Sequence, residues 1–329
     1  DKKIKNNPAG WKVKLENSNG VNSRYRVEKI GVPTPYIVLA IEYPIVMDGK
    51  VENVIYTPYS PEIHTSEMVG YGQAYLEGMV QSALEDLTAR GVKPLSYPKR
   101  SWYEVAEPLF LTSLAVTEHM DPAAVLRVNA DPIRALERFF VLLAANRENT
   151  FGFSRSSAGA LGMMQFIPGT YKGVRARFPS AGLIADFTSG MRDHMNDIKA
   201  AALLTDLNLN RVHEDKTGTL ADDNERYAFL AASYNGGSTR VLRAVLKYSE
   251  AWEEDRLKSI AELERNHTQI ARSEADLRKQ LKRATARDRI IIQRKLTSVI
   301  DEHKIVDAEL ASRKKTNLRR ETITYVTKF

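Results

Sequence analysis

A solitary carboxylate lies near the start of residues 145–171, which read ANRENTFGFSRSSAGALGMMQFIPGTY. Glu148 is the acidic residue of this segment, and the next acidic residue along the chain is Asp186, followed by Asp193. Ordinary glycoside hydrolysis needs two carboxylates, one as the acid and one as the base or nucleophile. Unless Asp186 or Asp193 supplies the second, Glu148 fits a reaction in which the substrate provides the other reacting group. The Glu first protonates the leaving glycosidic oxygen and then takes a proton from the attacking hydroxyl.

A predicted helix delivers Glu148 to this position. Asp131-Pro132 has the pattern of an N-cap followed by proline at the first helical position, and Asp121-Pro122 has the same pattern. The residues after Pro132, IRALERFFVLLAANRE, are apolar on one face and end at Glu148. The negative end of the helix dipole favours the protonated form of a carboxyl group there. The position therefore suits a general acid better than a structural carboxylate.

The first hundred residues predict a small α+β region. Residues 1–23 are polar and rich in Asn, which predicts a loosely held arm, and residues 24–59 predict a short antiparallel meander. A helix should follow, with Thr65 or Ser66 as its N-cap and Gly91 just past its end. Its apolar residues recur at helical spacing and predict a core-facing stripe of Met68, Tyr71, Tyr75, Met79, Ala83 and Leu87.

The C-terminal part of the chain predicts long helices. Residues 238–329 contain neither Gly nor Pro. If residues 250–316 fold back about residue 285, apolar residues of the two arms face each other, as an antiparallel helical hairpin or coiled coil requires. The predicted pairs are Leu281 with Ile290, Leu277 with Ile292, Ile270 with Ile300, Leu263 with Val306, and Ile260 with Leu310. Residues 282–289, KRATARDR, would form the basic tip. A single long helix that dimerises is the alternative.

The overall composition is that of a soluble globular protein, with 43% hydrophobic and 27% charged residues. The absence of cysteine excludes disulfides and thiolate sites, and the six histidines show no ligand spacing such as HExxH, so no metal site and no cofactor is expected. A net charge of +7 favours an anionic partner. Nucleic acid is not expected, because no nucleic-acid-binding motif accompanies the charge. No apolar run is long enough for a membrane span, and the start without Met or an apolar region predicts that an export signal has been removed.

At this point the motifs resemble a known family. Residues 148–171 are similar to the core pattern of the lytic transglycosylases, the soluble-lytic-transglycosylase-like family with a goose-lysozyme-like catalytic domain. Asn149 stands where that pattern has Ser, and Ile323 stands where its C-terminal element has Arg. The resemblance covers about residues 132–249 and 317–329. Its elements, in the family's order, are Glu148–Phe151, Ser156–Gln165, Pro168–Thr170, DHMNDIKAAALLTDL at 193–207, FLAASYNGGSTRV at 229–241 and ETITYV at 321–326.

The resemblance also assigns site residues. Glu148 matches the catalytic acid/base, and Tyr234 matches a tyrosine that supports the transition state. Substrate-binding roles are implied for Ser156, Met164, Gln165, Asn235 and Tyr325. For three of these a structural role is the alternative: Ser156 as a cap, Met164 as core and Tyr325 as a packing residue.

The fold class that follows is mainly α. We expect an N-terminal α+β region at 1–100, a lysozyme-like transglycosylase domain at 101–249 with 317–329, and an inserted antiparallel helical hairpin at 250–316. The hairpin is expected to protrude from the catalytic domain, where it is available to bind a protein or wall partner.

The resemblance implies cleavage of the β-1,4 MurNAc–GlcNAc bond of bacterial peptidoglycan with a single Glu, leaving 1,6-anhydroMurNAc ends. A lysozyme-like hydrolase acting on the same glycan or on a modified one, such as a deacetylated glycan, is the alternative. A non-catalytic glycan-binding or scaffold protein is a lesser one. The implied location is the periplasm or cell envelope, or outside the cell.

Overall fold

The computed structural model divides the 329-residue chain into two compact units. One comprises Asp1–Asn210 with Lys328–Phe329, and the other comprises Arg211–Thr327. The boundary lies inside the predicted transglycosylase domain, and the predicted three-part division stays a prediction. The predicted helix start at Asp121 and the predicted site residue Tyr325 lie outside the described residues. The structure describes residues 9–17, 23–32, 36–47, 49–120, 131–214, 223–248 and 254–315.

The described strands form two antiparallel hairpins near the N-terminus. The strands are β1 (Trp11–Asn17), β2 (Arg24–Lys29), β3 (Ile41–Met47) and β4 (Lys50–Tyr56). β1 pairs with β2, and β3 pairs with β4. The prediction of a loose arm over residues 1–23 is wrong for β1, whose sequence WKVKLEN alternates polar and apolar residues as a half-buried strand does. Val54 and Tyr56 of β4 are buried and join the core.

Helices are the commonest elements of the first unit, and the structure as a whole is 64% helical, which confirms the predicted mainly α class. Its longer helices are α1 (Ser66–Ala89), α3 (Pro108–His119), α4 (Pro132–Asn146), α5 (Pro168–Arg177) and α7 (His194–Glu214), the last of which runs past the unit boundary. The shorter ones are α2 (Trp102–Val105), α6 (Phe187–Arg192) and three 3₁₀ turns at Pro61–Ile63, Arg147–Asn149 and Pro179–Ala181.

Helices α1 and α4 pack against each other and form the support of the site. The predicted caps are confirmed: Thr65 accepts a hydrogen bond from the Met68 N–H at the start of α1, and Asp131 accepts one from the Arg134 N–H at the start of α4. At Gly72 the two backbones approach so closely that a Cβ would lie 1.8 Å from the Phe140 carbonyl oxygen. Only glycine fits at this crossing.

Buried polar side chains of helix α7 connect it to other parts of the first unit. Near its start Asn196 donates to the Tyr171 hydroxyl at 2.9 Å and to the Gly190 carbonyl at 2.8 Å. One turn later Lys199, which is almost fully buried, lies 2.6 Å from the Asp86 carboxylate of α1. Farther along, Asp206 accepts hydrogen bonds from the N–H groups of residues 95 and 96. Because buried polar groups are costly unless paired, these contacts fix the position of α7 against the rest of the unit.

The second unit contains four described helices. These are α8 (Asp223–Gly236), α9 (Ser238–Tyr248), α10 (Glu254–Arg283) and α11 (Ala286–Lys315). Helices α10 and α11 form the predicted antiparallel hairpin, with a tip at residues 284–285, rather than one long helix. Ile270, Leu296, Val306 and Leu310 are buried between the arms. Ile290 next to the tip is 62% exposed, so the predicted Leu281–Ile290 pair encloses little apolar surface.

Candidate active site

Glu148 lies where the sequence predicts it. Helix α4 ends at Asn146, and Glu148 occupies the middle of the following 3₁₀ turn, with its side chain exposed. The turn is held from both sides: Asn146 exchanges hydrogen bonds with the backbone of Thr57 after β4, and the Thr150 hydroxyl donates to the Leu142 carbonyl. The carboxylate is therefore presented to solvent from a fixed backbone.

A buried hydrogen-bonded chain lies in the electrostatic field of Glu148. His194, the first residue of α7, places Nε2 2.8 Å from the Thr150 carbonyl oxygen and Nδ1 3.1 Å from the Tyr75 hydroxyl of α1. Because a carbonyl oxygen only accepts, Nε2 carries the hydrogen, and in neutral His194 Nδ1 then accepts a hydrogen bond from the Tyr75 hydroxyl. The chain Tyr75–His194–Thr150 thus has a defined direction and ends two residues from Glu148.

The protonation states of this pair follow from its surroundings. Burial lowers the pKa of His194, although the hydrogen bond to Thr150 and the charges of Asp193 and Glu148 act in the opposite direction. Burial, followed by the negative charge of Glu148, raises the pKa of Tyr75 to about 12. Both groups are therefore neutral at pH 7, and Tyr75 remains a hydrogen-bond donor.

Strained backbone occurs on both sides of Glu148 and again at Gln165 in the loop that follows. Among the described residues, the non-glycine residues with positive φ are Arg147 at 45°, Phe151 at 61° and Gln165 at 49°. Phe151 is held in this conformation by its ring, which stacks on His119 with centroids 3.7 Å apart and on Phe139 at 5.0 Å. Such conformations cost energy and persist where the surrounding structure enforces them, which is common at functional sites.

The loop after Glu148 is anchored by a buried carboxylate. Asp197 of α7 is fully buried and accepts a hydrogen bond from the Met164 N–H at 2.9 Å. Burial raises the pKa of Asp197 well above its ordinary value, although the N–H groups of Met164 and Met163 act in the opposite direction. Gly162 has a φ of +86°, and a Cβ there would lie 2.5 Å from the carboxylate. The glycine and the acid are therefore required together.

The three predicted loop residues have different environments. Ser156 is exposed, and its hydroxyl accepts a hydrogen bond from the Ala160 N–H at 3.0 Å, which closes a turn in the loop. The Gln165 amide nitrogen donates to the carbonyls of Ser154 and Gly162, so a sugar contact by Gln165 would use its oxygen. Met164 is 0% exposed and packs in the core, so we leave it out of the proposed substrate contacts.

Asp186 and Asp193, the candidates for a second carboxylate, both cap helices. Asp186 accepts a hydrogen bond from the Ser189 N–H at 2.7 Å at the start of α6. Asp193 accepts one from the Asn196 N–H at 2.8 Å at the start of α7. Helix capping accounts for both carboxylates without a catalytic role.

The remaining predicted residues lie outside the first unit. Tyr234 and Asn235 are half-buried near the C-terminal end of α8, in the second unit, so the structure leaves their roles as predictions. Tyr75, His194 and Asp197 were missed as site residues by sequence reasoning. Tyr75 was assigned to a core stripe, and the resemblance at residues 193–207 marked the helix of His194 and Asp197 without a role for either side chain.

Comparison with known proteins gave one family match, to part of the chain. Residues 135–256, which include Glu148, the loop after it and the SYNGG segment, match the family described as Transglycosylase SLT domain. Neither the curated proteins nor the solved structures gave a match to the chain. Members of the matched family are lytic transglycosylases, enzymes that cleave glycosidic bonds of peptidoglycan. Residues 135–256 of this chain therefore resemble the catalytic domain of the lytic transglycosylases, and this match supports that family.

Proposed function

We propose that Glu148 is the single general acid and base of a lytic transglycosylase reaction. The bond from MurNAc C1 to the GlcNAc O4 oxygen breaks as Glu148 gives its proton to that oxygen. The C6 hydroxyl of MurNAc then attacks C1 and returns a proton to Glu148, which leaves a 1,6-anhydroMurNAc end. The observation that carries this proposal is that Glu148 is exposed while Asp186 and Asp193 serve as helix caps.

Further residues are proposed to contact the glycan. We assign Ser156 and the Gln165 oxygen to contacts with the sugar on the Glu148 side. Tyr234 would stabilise the transition state through its hydroxyl, and Asn235 and Tyr325 would border the substrate. These assignments rest on the motifs that carry the resemblance.

Hydrolysis by water is the alternative outcome, and the reaction products distinguish the two. Purified peptidoglycan digested by the protein should release muropeptides with anhydro ends, which are lighter by one water than the reducing ends of a hydrolase. Mass spectrometry of the released fragments measures this difference directly. Fragments that carry reducing MurNAc ends throughout would overturn the transglycosylase assignment and favour a lysozyme-like hydrolase.

Glu148→Gln should abolish cleavage and leave the fold intact, because the amide keeps the shape of the side chain and removes the transferable proton. We expect a loss of at least about a thousandfold, of the size seen when a catalytic group is removed. The matched control is Glu85→Gln, which makes the same change on the exposed face of α1 and should keep full activity. More than a few per cent of residual activity in the Glu148 variant would contradict the assignment.

The substrate indicates where the protein acts. Peptidoglycan lies outside the cytoplasm, so the action of the SLT domain is extracytoplasmic. The periplasm or cell envelope is our proposed location, and the anionic wall is the proposed partner of the basic surface. Among the described helices, none is both long and apolar enough to cross a membrane.

A further inference from the structure

The helical hairpin contains a cluster of side chains that catalysis does not use. His267 lies on α10, and His303 and Asp307 lie four residues apart on one face of α11. One donor atom from each of the three residues lies within 4.8 Å of the others. The two imidazole rings are 4.8 Å apart between centroids. Two arms of the chain thus bring two imidazoles and a carboxylate to one point.

The orientation of His303 is the most informative part of this cluster. Its Nδ1 lies 2.8 Å from the Glu274 carboxylate, which only accepts, so Nδ1 carries the hydrogen. Its Nε2 is then a lone-pair donor, and this atom is buried with no hydrogen-bond partner among the described residues. A buried polar atom without a partner is costly. Histidines that bind metals show this arrangement, with one nitrogen held by a carboxylate and the other directed at the ion.

We propose that His267, His303 and Asp307 bind a divalent transition-metal ion of the Zn²⁺ type, with Glu274 orienting His303. Two imidazoles and one carboxylate suit Zn²⁺ and its neighbours in the first row, whereas Mg²⁺ and Ca²⁺ prefer oxygen ligands. Water completes the tetrahedral set.

The distances allow this site with small movements. In tetrahedral coordination with bonds of about 2.0–2.1 Å, neighbouring ligand atoms are about 3.3 Å apart. The spacing of up to 4.8 Å therefore closes by about 1.5 Å. His267 Nε2 and Asp307 Oδ1 are already 2.9 Å apart, and the ion would replace the hydrogen between them. The ion would tie α10 to α11 about midway along the arms and stabilise the hairpin.

Zinc titration of the full-length protein tests the site. The protein is freed of metal with a chelator, carries no affinity tag, and is titrated with ZnCl₂ in a calorimeter above the ordinary pKa of imidazole, about 6.5. We expect one Zn²⁺ per chain. Asp307→Asn and His303→Gln should each weaken binding by at least about tenfold, and Glu274→Gln by about 10- to 100-fold.

A matched control separates this site from general binding by histidine. His64 of the first unit also pairs with a carboxylate, with Nε2 3.0 Å from Glu137, so His64→Gln removes a comparable histidine–carboxylate pair. This variant should bind Zn²⁺ as the wild type does. Asp307 is largely exposed, so its variant should keep the helical content measured by circular dichroism.

Cobalt provides an independent measurement. Co²⁺ bound to the three ligands should give visible absorption bands of a tetrahedral complex, and Zn²⁺ should displace it. Failure of the wild type to bind Zn²⁺ would overturn the proposal. Equal affinity in the wild type and in a folded Asp307→Asn variant would also overturn it. Neither result bears on Glu148, because the cluster contributes no residue to the proposed reaction.

Discussion

Asp197 is a residue whose charge state links the candidate site to the stability of the first unit. Because burial raises its pKa, the folded protein holds the proton of Asp197 more tightly than the unfolded chain does. The resulting stability is fully present below the ordinary value of 3.8 and is lost as the pH rises from there through the folded pKa. Asp197, which anchors the loop after Glu148, therefore stabilises the fold most when it is protonated.

Asp197→Asn should remove this pH dependence, since an amide is neutral throughout. The free energy of unfolding of the wild type, relative to the variant, should fall as the pH rises above 3.8, with a slope of at most about 1.4 kcal/mol per pH unit. Denaturant unfolding of both proteins between acidic and neutral pH measures the difference.

Asp186→Asn is the control for this experiment, because hydrogen bonds to Ser189 lower the pKa of Asp186. Its contribution has the opposite sign: it is present above the ordinary value and is lost as the pH falls through the folded pKa. If the free energies of unfolding of the wild type and the Asp197 variant differ by the same amount at all pH values, Asp197 has the same pKa in the folded and unfolded protein. That result would contradict the prediction.

We expect Tyr75 to be a positioning residue, because its hydroxyl orients the His194 ring next to the turn that carries Glu148. Tyr75→Phe should lower kcat on soluble glycan strands by about tenfold and leave KM unchanged, since one hydrogen bond that orients His194 is lost. Steady-state kinetics measures both constants.

Tyr71→Phe is the matched control for Tyr75. Tyr71 lies on the same helix, one turn earlier, and is 69% exposed, so the loss of its hydroxyl should change neither constant. If Tyr75→Phe retains full kcat, the Tyr75–His194 pair has a structural role alone. A change in KM without a change in kcat would also contradict the positioning role.

At the scale of elements, the hairpin α10–α11 is separable from the residues assigned to chemistry. Its buried apolar residues contact each other within the two arms, and none of its described residues is assigned to the reaction. The described residues next to its tip include the exposed basic residues Lys282, Arg283 and Arg289. These charges suit contact with an anionic polymer, as the wall provides.

Replacement of residues 252–314 by a short flexible linker should preserve activity on small soluble glycans, because closing a loop costs little free energy. Activity on intact wall should fall, since the basic tip is lost. Turbidity loss of purified wall and release of soluble products measure the two activities. The control reverses charge at the tip with Lys282→Glu and Arg283→Glu, which keeps the arms.

The possible outcomes of the hairpin experiment are distinct. If the shortened protein is folded and inactive on soluble glycans, the arms shape the active site. If the charge-reversed protein acts on intact wall as the wild type does, the tip does not recruit the substrate. A dimer joined through residues 250–316 would show that the arms also pair between chains.

For the whole molecule, the attraction due to net charge acts over longer distances than the contacts that catalysis needs. We expect the net charge of +7 to attract the protein to an anionic wall, but salt screens such attraction beyond about 8 Å at physiological ionic strength. The charge would therefore recruit the protein without orienting a glycan over Glu148. Orientation requires short contacts of the kind proposed for Ser156 and Gln165. The proposed metal would stabilise the hairpin without changing either of these functions.

The sequence by itself determined the features that depend on neighbours along the chain. Thr65 and Asp131 begin helices because their side chains cap N–H groups three residues later. The antiparallel hairpin follows from apolar spacing in a stretch without Gly or Pro. Glu148 was found because it is the lone acid in a motif whose order along the chain resembles a family.

The tertiary structure decided what depends on residues distant in sequence. Gly72 is required by the close approach of α4 to α1. Tyr71, predicted as core, is exposed, because the buried face of α1 is centred on Leu76 and Val80. His194 reaches Tyr75 across 119 positions, and His303 and Asp307 meet His267 only when the arms fold back. No local pattern encodes these contacts, since they depend on how elements pack rather than on the spacing within one element.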